Sequence, residues 1–163
     1  MLHNSVDRNV QWWYNGSIVT HSCRIMSKPI ELYQIAKACR EWAEKFAKKT
    51  DDYPKNLCGM CAIASAKVFI ELKNKGYRPE LRLWMGEWGG HCFVVVDDHI
   101  VDITATQFPD FSDSKVLVIH EREADMFEFY KTTKVFETVK QLQKHQKNTK
   151  WPTEQIVYDE YYG

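Results

Sequence analysis

The chain has 163 residues and a mass of 19.3 kDa, the size of one domain with a core of its own. Lys plus Arg number 22, as do Asp plus Glu, so the formal net charge is zero. That excludes a general nucleic-acid binder or a trap for acidic substrates, both of which need a positive field, and no apolar run approaches a membrane span.

Five cysteines, Cys23, Cys39, Cys58, Cys61 and Cys92, form an odd set, and the first residues show no apolar signal region. The expected setting is a reducing one, the cytoplasm, where thiols serve chemistry, metal or packing. A single domain over 1–163 is expected, with a core over 29–146, a tail over 147–163 and an uncertain arm over 1–25. Two readings of the arm stay open: a docked segment, or residues ahead of a natural start at Met26. Trp12-Trp13-Tyr14 is aromatic, but Asn15-Gly16 interrupts any period.

A helix opens at Ser27-Lys28-Pro29, with proline near the first turn, and continues from Ile30 to Lys48. Its stripe of Leu32, Ile35, Ala36, Cys39, Trp42, Ala43 and Phe46 follows the 3.6-residue period, which makes Cys39 a core residue. A second helix runs from about Met60 to Lys73, apolar nearly all round through Ala66 and therefore buried, with Gly76 as its stop. The period then changes to two. Strands are expected at Glu80–Met85, His91–Val96, His99–Ile103 and Lys115–Ile119, with a tight turn at Asp97-Asp98. A third long helix is expected from Ala124 to about Lys144, with Lys131, Lys134, Lys140 and Lys144 as a solvated basic face. The tail from Asn148 has no clear period. Helices followed by consecutive strands without crossovers read as α+β: a central helix packed on an antiparallel sheet, flanked by N- and C-terminal helices.

Three residues stand out by placement. Cys61 opens the buried helix, His91 opens a strand after Gly89-Gly90, and Asp102 lies on the next strand across the Asp97-Asp98 turn. A helix N-terminus favours thiolate, and its free N–H groups can hold an oxyanion. A paired imidazole stabilises the thiolate and later returns the proton, and a carboxylate can fix the imidazole tautomer. Two-residue pairing puts Asp102 opposite Phe93 or its neighbours, about one pair from His91. Whether it shares the face of His91 stays open, and Asp97 and Asp98 are neighbouring candidates for the same role. Further candidates for oxyanion or substrate contacts are Asn56, Trp84, Trp88, Gly90 and Gln107, with Trp84, Trp88 and a Gly86, Gly89, Gly90 loop as a cleft wall. Thr104 and Gln107 either support the site from behind or cap a turn.

The stretch Gly59-Met60-Cys61-Ala62-Ile63-Ala64-Ser65, then Leu72, Gly76-Tyr77, Gly86, His91-Cys92-Phe93-Val94 and Val101-Asp102-Ile103-Thr104 resembles the transglutaminase-like branch of the papain-like cysteine protease superfamily. It covers roughly Leu57 to Phe108. The resemblance implies a papain-like, transglutaminase-like core, with Cys61 as nucleophile, His91 as base and acid, and Asp102 as orienting carboxylate. The sequence departs from the narrower papain pattern: Met60 is not small, Ala62 is not aromatic, and Lys55 with Asn56 stands about where those proteases carry an oxyanion Gln. The expectation is a cysteine-dependent acyl-transfer enzyme, a hydrolase (peptidase or amidase) working through a thioester on a peptide or protein substrate. No cofactor, metal, nucleic acid or membrane partner is expected. Alternatives are a protein-glutamine transglutaminase or deamidase, a binding module without chemistry, a zinc protein using Cys58, Cys61, His91, Cys92 and His99, and a dithiol at Cys58-x-x-Cys61. In the preferred reading Cys58 is a packing or redox-silent thiol.

Overall fold

The structure is a computed structural model and describes residues 12–14, 17–19, 27–87 and 89–163. In the first of these, β1 (Trp12–Tyr14) and β2 (Ser17–Val19) pair antiparallel as a two-stranded sheet. Asn15-Gly16, which separates them in sequence, is the dipeptide that two-residue hairpins favour. The rest of the arm lies outside the described residues.

Helix α1 (Ser27–Thr50) buries Leu32, Ala36, Cys39, Ala43 and Ala47, the stripe its period dictates. Helix α2 (Cys61–Asn74) follows and is buried along most of its length. It ends in a Schellman motif, in which Gly76 at φ +87° donates to the Lys73 carbonyl and Tyr77 to the Leu72 carbonyl.

Five strands make one antiparallel sheet: β3 (Glu80–Gly86), β4 (Gly89–Val96), β5 (His99–Asp102), β6 (Leu117–His120) and β7 (Lys134–Phe136). Their spatial order is β6-β5-β4-β3-β7. The α+β class therefore holds. Asp97 and Asp98, at φ +48° and +61°, form the two-residue turn, and its geometry matches strand twist. The glycines expected to form a loop lie instead in the ladder, since Gly86 pairs with Gly89 and Met85 with Gly90.

The register sorts the side chains. Cys92, Val94, Val96, Leu81, Leu83, Val101 and Ile103 face α1 and α2 in one core. Phe93, Val95, Ile100, Leu117 and Ile119 face the other way, into a second core closed by Ala105, Phe111, Ala124 and Tyr130.

The long helix expected over 124–144 does not form. In its place come α3 (Glu121–Ala124), a 3-10 turn at Glu128–Tyr130, strand β7 and α4 (Val139–Asn148). The apolar spacing was real, but its residues serve different partners. Phe127, Phe129 and Tyr130 fill the second core, while Phe136 reaches the first from β7. Thr132, Thr133 and Val135 are β-branched, which favours pairing over helix. Thr138 then caps α4 by accepting from the Gln141 N–H. Its lysines accordingly lie on a turn (Lys131), a strand (Lys134) and α4 (Lys140, Lys144), not on one helix face. The segment after Asn148 contributes Val157 and, at its edge, Trp151, Tyr161 and Tyr162 to the first core. Among the described residues no helix is long and apolar enough to cross a membrane.

Candidate active site

Strand β5 pairs with β4 from Val96 back to Val94 and ends at Asp102, whereas β4 runs on to Gly89. Beside His91 and Cys92 that edge of β4 is therefore free for another element. The pair flanking the Asp97-Asp98 turn points its backbone groups at β5, and so do alternate residues 94 and 92. The N-terminus of α2 occupies this edge. Ser65, one turn after Cys61, donates its hydroxyl to the Cys92 carbonyl at 3.0 Å. The Cys92 N–H and thiol lie beside the Cys61 thiol and favour its ionised form. This is how a thiol from the layer on one face of the sheet comes within reach of an imidazole on the other.

His91 and Asp102 do share a face. Across an antiparallel ladder opposed residues point the same way, so Asp102 follows Phe93, and Phe93 follows His91 two positions along. Their side chains meet diagonally, His91 Nε2 lying 2.7 Å from Asp102 Oδ2. The Asp97 and Asp98 alternatives fall away on geometry: both are exposed in the turn, and Asp97 bridges to Lys28 at 2.6 Å.

The site is dry. His91 is 0% exposed, Asp102 1% and Cys61 5%. Asp102 is held by four donors: the His91 Nε2–H and the Tyr130 hydroxyl on Oδ2, both at 2.7 Å, and the Thr104 N–H and hydroxyl on Oδ1, at 2.7 and 3.0 Å. Burial alone pushes its carboxyl up. The His91 charge and the bonds from His91, Thr104 and Tyr130 outweigh burial and hold it below the usual carboxylate value. For His91, burial favours the neutral ring, but the Asp102 carboxylate and Cys61 outweigh it and raise the pKa to about 9. The Cys61 thiol is drawn well below its ordinary value, first by the Cys92 thiol against the opposing effect of burial, then by His91 and the Cys92 N–H. Cys92 moves the opposite way, pushed up by Cys61 and by burial. Met60 precedes α2 without any side-chain cap, which leaves the first-turn N–H groups without a capping side chain.

The other candidates are placed less centrally. Trp84 stands opposite His91 in the ladder and packs against the second core. Gly90 sits where a Cβ would meet Met85 Sδ at 2.5 Å, so its size serves the hairpin. The Asn56 Oδ1 accepts from the nearby Cys58 N–H, and its carbonyl accepts from the distant Thr106 hydroxyl. Trp88 lies outside the described residues. Gln107 reaches the centre: its Nε2 is 3.1 Å from His91 Nδ1. Cys39 is buried with its thiol pushed up to about 12, chiefly by burial. Cys58 is a free, exposed thiol. Among the described residues no group of three or more His, Cys, Asp or Glu is arranged to hold a metal ion.

Several neighbours were not legible as site residues. Tyr130 sat on what read as a helix stripe, and Ser65 inside an apolar helix. Phe108 and Phe129 stack at 3.8 Å and wall the His91 ring, Phe108 edge-on at 4.8 Å. Only Ser65, a lone hydroxyl in an otherwise apolar helix, gave a signal that could have been followed. Comparison of the chain with family models, curated proteins and solved structures finds no match.

Proposed function

We propose that the chain is a cysteine-dependent acyl-transfer enzyme, a hydrolase of amide or peptide bonds, built on a papain-like core of the transglutaminase-like kind. The observation that carries this reading is the line from thiol to carboxylate: Cys61 at the head of a buried helix, His91 near enough to lower its pKa, and Asp102 2.7 Å behind His91. In this reading the Cys61 thiolate attacks a carbonyl carbon of a peptide or protein substrate. The first-turn N–H groups of α2 stabilise the oxyanion. The C–N bond breaks as the His91 proton passes to the leaving amine, and a thioester on Cys61 remains. Water, deprotonated by His91, then releases the acid and the free thiol. We place this chemistry in the cytoplasm, where the thiol stays reduced.

Iodoacetamide labelling with peptide mapping, followed against pH, tests the reading. Cys61 should alkylate well below pH 8, ahead of Cys58, even though Cys58 is exposed and Cys61 nearly buried. His91→Ala should abolish that low-pH reactivity without unfolding the protein. Slow labelling of Cys61 that ignores His91 would remove the reading. If the thiolate is present, a panel of peptide amides and esters gives the substrate class.

A further inference from the structure

Gln107 ends the 3-10 turn Ala105–Gln107, directly after the Asp102–Thr104 segment that holds the carboxylate. Its Nε2 lies 3.0 Å from the Thr104 carbonyl oxygen, 3.4 Å from Thr104 Oγ1 and 3.1 Å from His91 Nδ1. A carbonyl oxygen only accepts, so the amide group facing Thr104 is the NH2 and not the oxygen. Its second N–H points at His91, which makes Nδ1 an acceptor. Nε2 then carries the ring proton toward Asp102. This hydrogen bond forms only with the neutral ring, so it opposes the protonated ring that Asp102 and Cys61 favour.

The Nδ1 lone pair is the one the proposed reaction requires. Asp102 occupies Nε2, so a proton leaving the Cys61 sulfur must bond to Nδ1, its S–H electron pair staying on sulfur. A protonated Nδ1 and a Gln107 N–H cannot face each other, because both are donors. Turning the amide over brings its oxygen against the Thr104 carbonyl. The titratable groups around the ring are Cys61 from α2, Asp102 from β5 and Tyr130 from the 128–130 turn, with the Cys92 thiol behind Cys61; Phe93, Phe108 and Phe129 complete an apolar shell.

We propose that Gln107 is a latch on the nucleophile: its amide N–H competes with the Cys61 thiol for His91 Nδ1 and biases the pair toward thiol and neutral ring until the side chain withdraws. Gln107 is thus a positioning residue acting through His91. The inference rests on the acyl-transfer reading above.

The test compares pH profiles of Cys61 alkylation in wild type, Gln107→Met, which keeps length and removes the donor, and Gln107→Ala. The latch predicts a profile displaced to lower pH in both variants. Labelling at pH 6 should be about three- to tenfold faster, the weight of one net hydrogen bond, with the same plateau at high pH. The His91 Nδ1 15N resonance should move toward the protonated ring at the same pH. Profiles that superpose on wild type overturn the latch, and so does a rise by one factor at every pH, which reports easier access only. If wild-type labelling retains its dependence on His91, such a result removes the latch alone; if that dependence is absent, both readings fall.

Discussion

Asp102 is a buried carboxylate with two oxygens and four donors, which come from three residues held by different constraints. Thr104 holds Oδ1 from two residues away by backbone and hydroxyl together, a local loop device. Tyr130 holds Oδ2 from 28 positions along the chain, and its ring packs beside His91 at 5.9 Å. The Thr104 contact could be read from Asp102-Ile103-Thr104; the Tyr130 contact depends on a turn whose place in the fold no local pattern fixes. Removing the Tyr130 hydroxyl takes one bond from a buried charge, so Tyr130→Phe should cost about 1.5–3 kcal/mol at pH 7. The sign of its pH dependence follows from Asp102. A carboxyl held below its unfolded value of about 4 stabilises the fold above that pH, and the contribution is lost as pH falls through the folded value. Urea unfolding at pH 7 and pH 3 should therefore show the Tyr130→Phe deficit shrinking in acid. An equal deficit at both pH values would mean that the hydroxyl contributes packing alone.

The elements divide into those whose signals are local and those defined by partners. Helix α2 announced itself by an apolar run and a glycine stop, and the Asp97-Asp98 hairpin fixed the register that places Asp102 two positions' diagonal from His91. The segment 124–144 carried helical spacing as well, yet its aromatic residues answer to two cores on opposite faces of the sheet. Only the strand β3, far away in sequence, draws Lys134–Phe136 into pairing. The docking of α2 on β4 was equally hidden, because it depends on β5 being shorter than β4. The glycine stop gives a clean test at this scale. Gly76 is left-handed, and a Cβ added there meets nothing within 4 Å, so substitution costs only backbone strain. Gly76→Ala should lose about 1–2 kcal/mol in a urea melt, and Gly76→Asn less, since asparagine tolerates this conformation. A loss near zero for Gly76→Ala would show that the cap does not hold the helix end in solution.

Taken whole, the molecule is a sheet with a core on each face and its candidate site at the seam between them, and both α1 and the C-terminal segment brace that seam. From α1, the buried Arg40 donates to the Ile103 carbonyl at 2.6 Å and to Thr106 at 3.1 Å, fixing the segment between Asp102 and Gln107. From the other end, Tyr162 donates to the Ile63 carbonyl at 3.0 Å, on the first turn of α2. Gln146 of α4, itself fully buried, is satisfied only by the residues that follow: it donates to the Gln155 carbonyl at 2.8 Å and accepts from the Val157 N–H at 2.9 Å. Val157 is buried in the core that holds α2, and Ile156 is nearly so. The aperiodic tail thus works as structure, although its turns and aromatics gave no pattern from which that could be read. Ending the chain after Thr149 removes Ile156 and Val157, each worth about 1.5–3 kcal/mol of burial. It also strands the Gln146 amide, at about 1–3 kcal/mol. Together these reach the lower end of the roughly 5–15 kcal/mol that holds a domain folded. The truncated chain should lose its cooperative melt by circular dichroism, and Cys61 should label at the rate of an unperturbed thiol. A truncated chain that melts cooperatively within about 1 kcal/mol of the full length, with low-pH labelling intact, would mean that α2 is held at the seam by β4 and α1 without the tail.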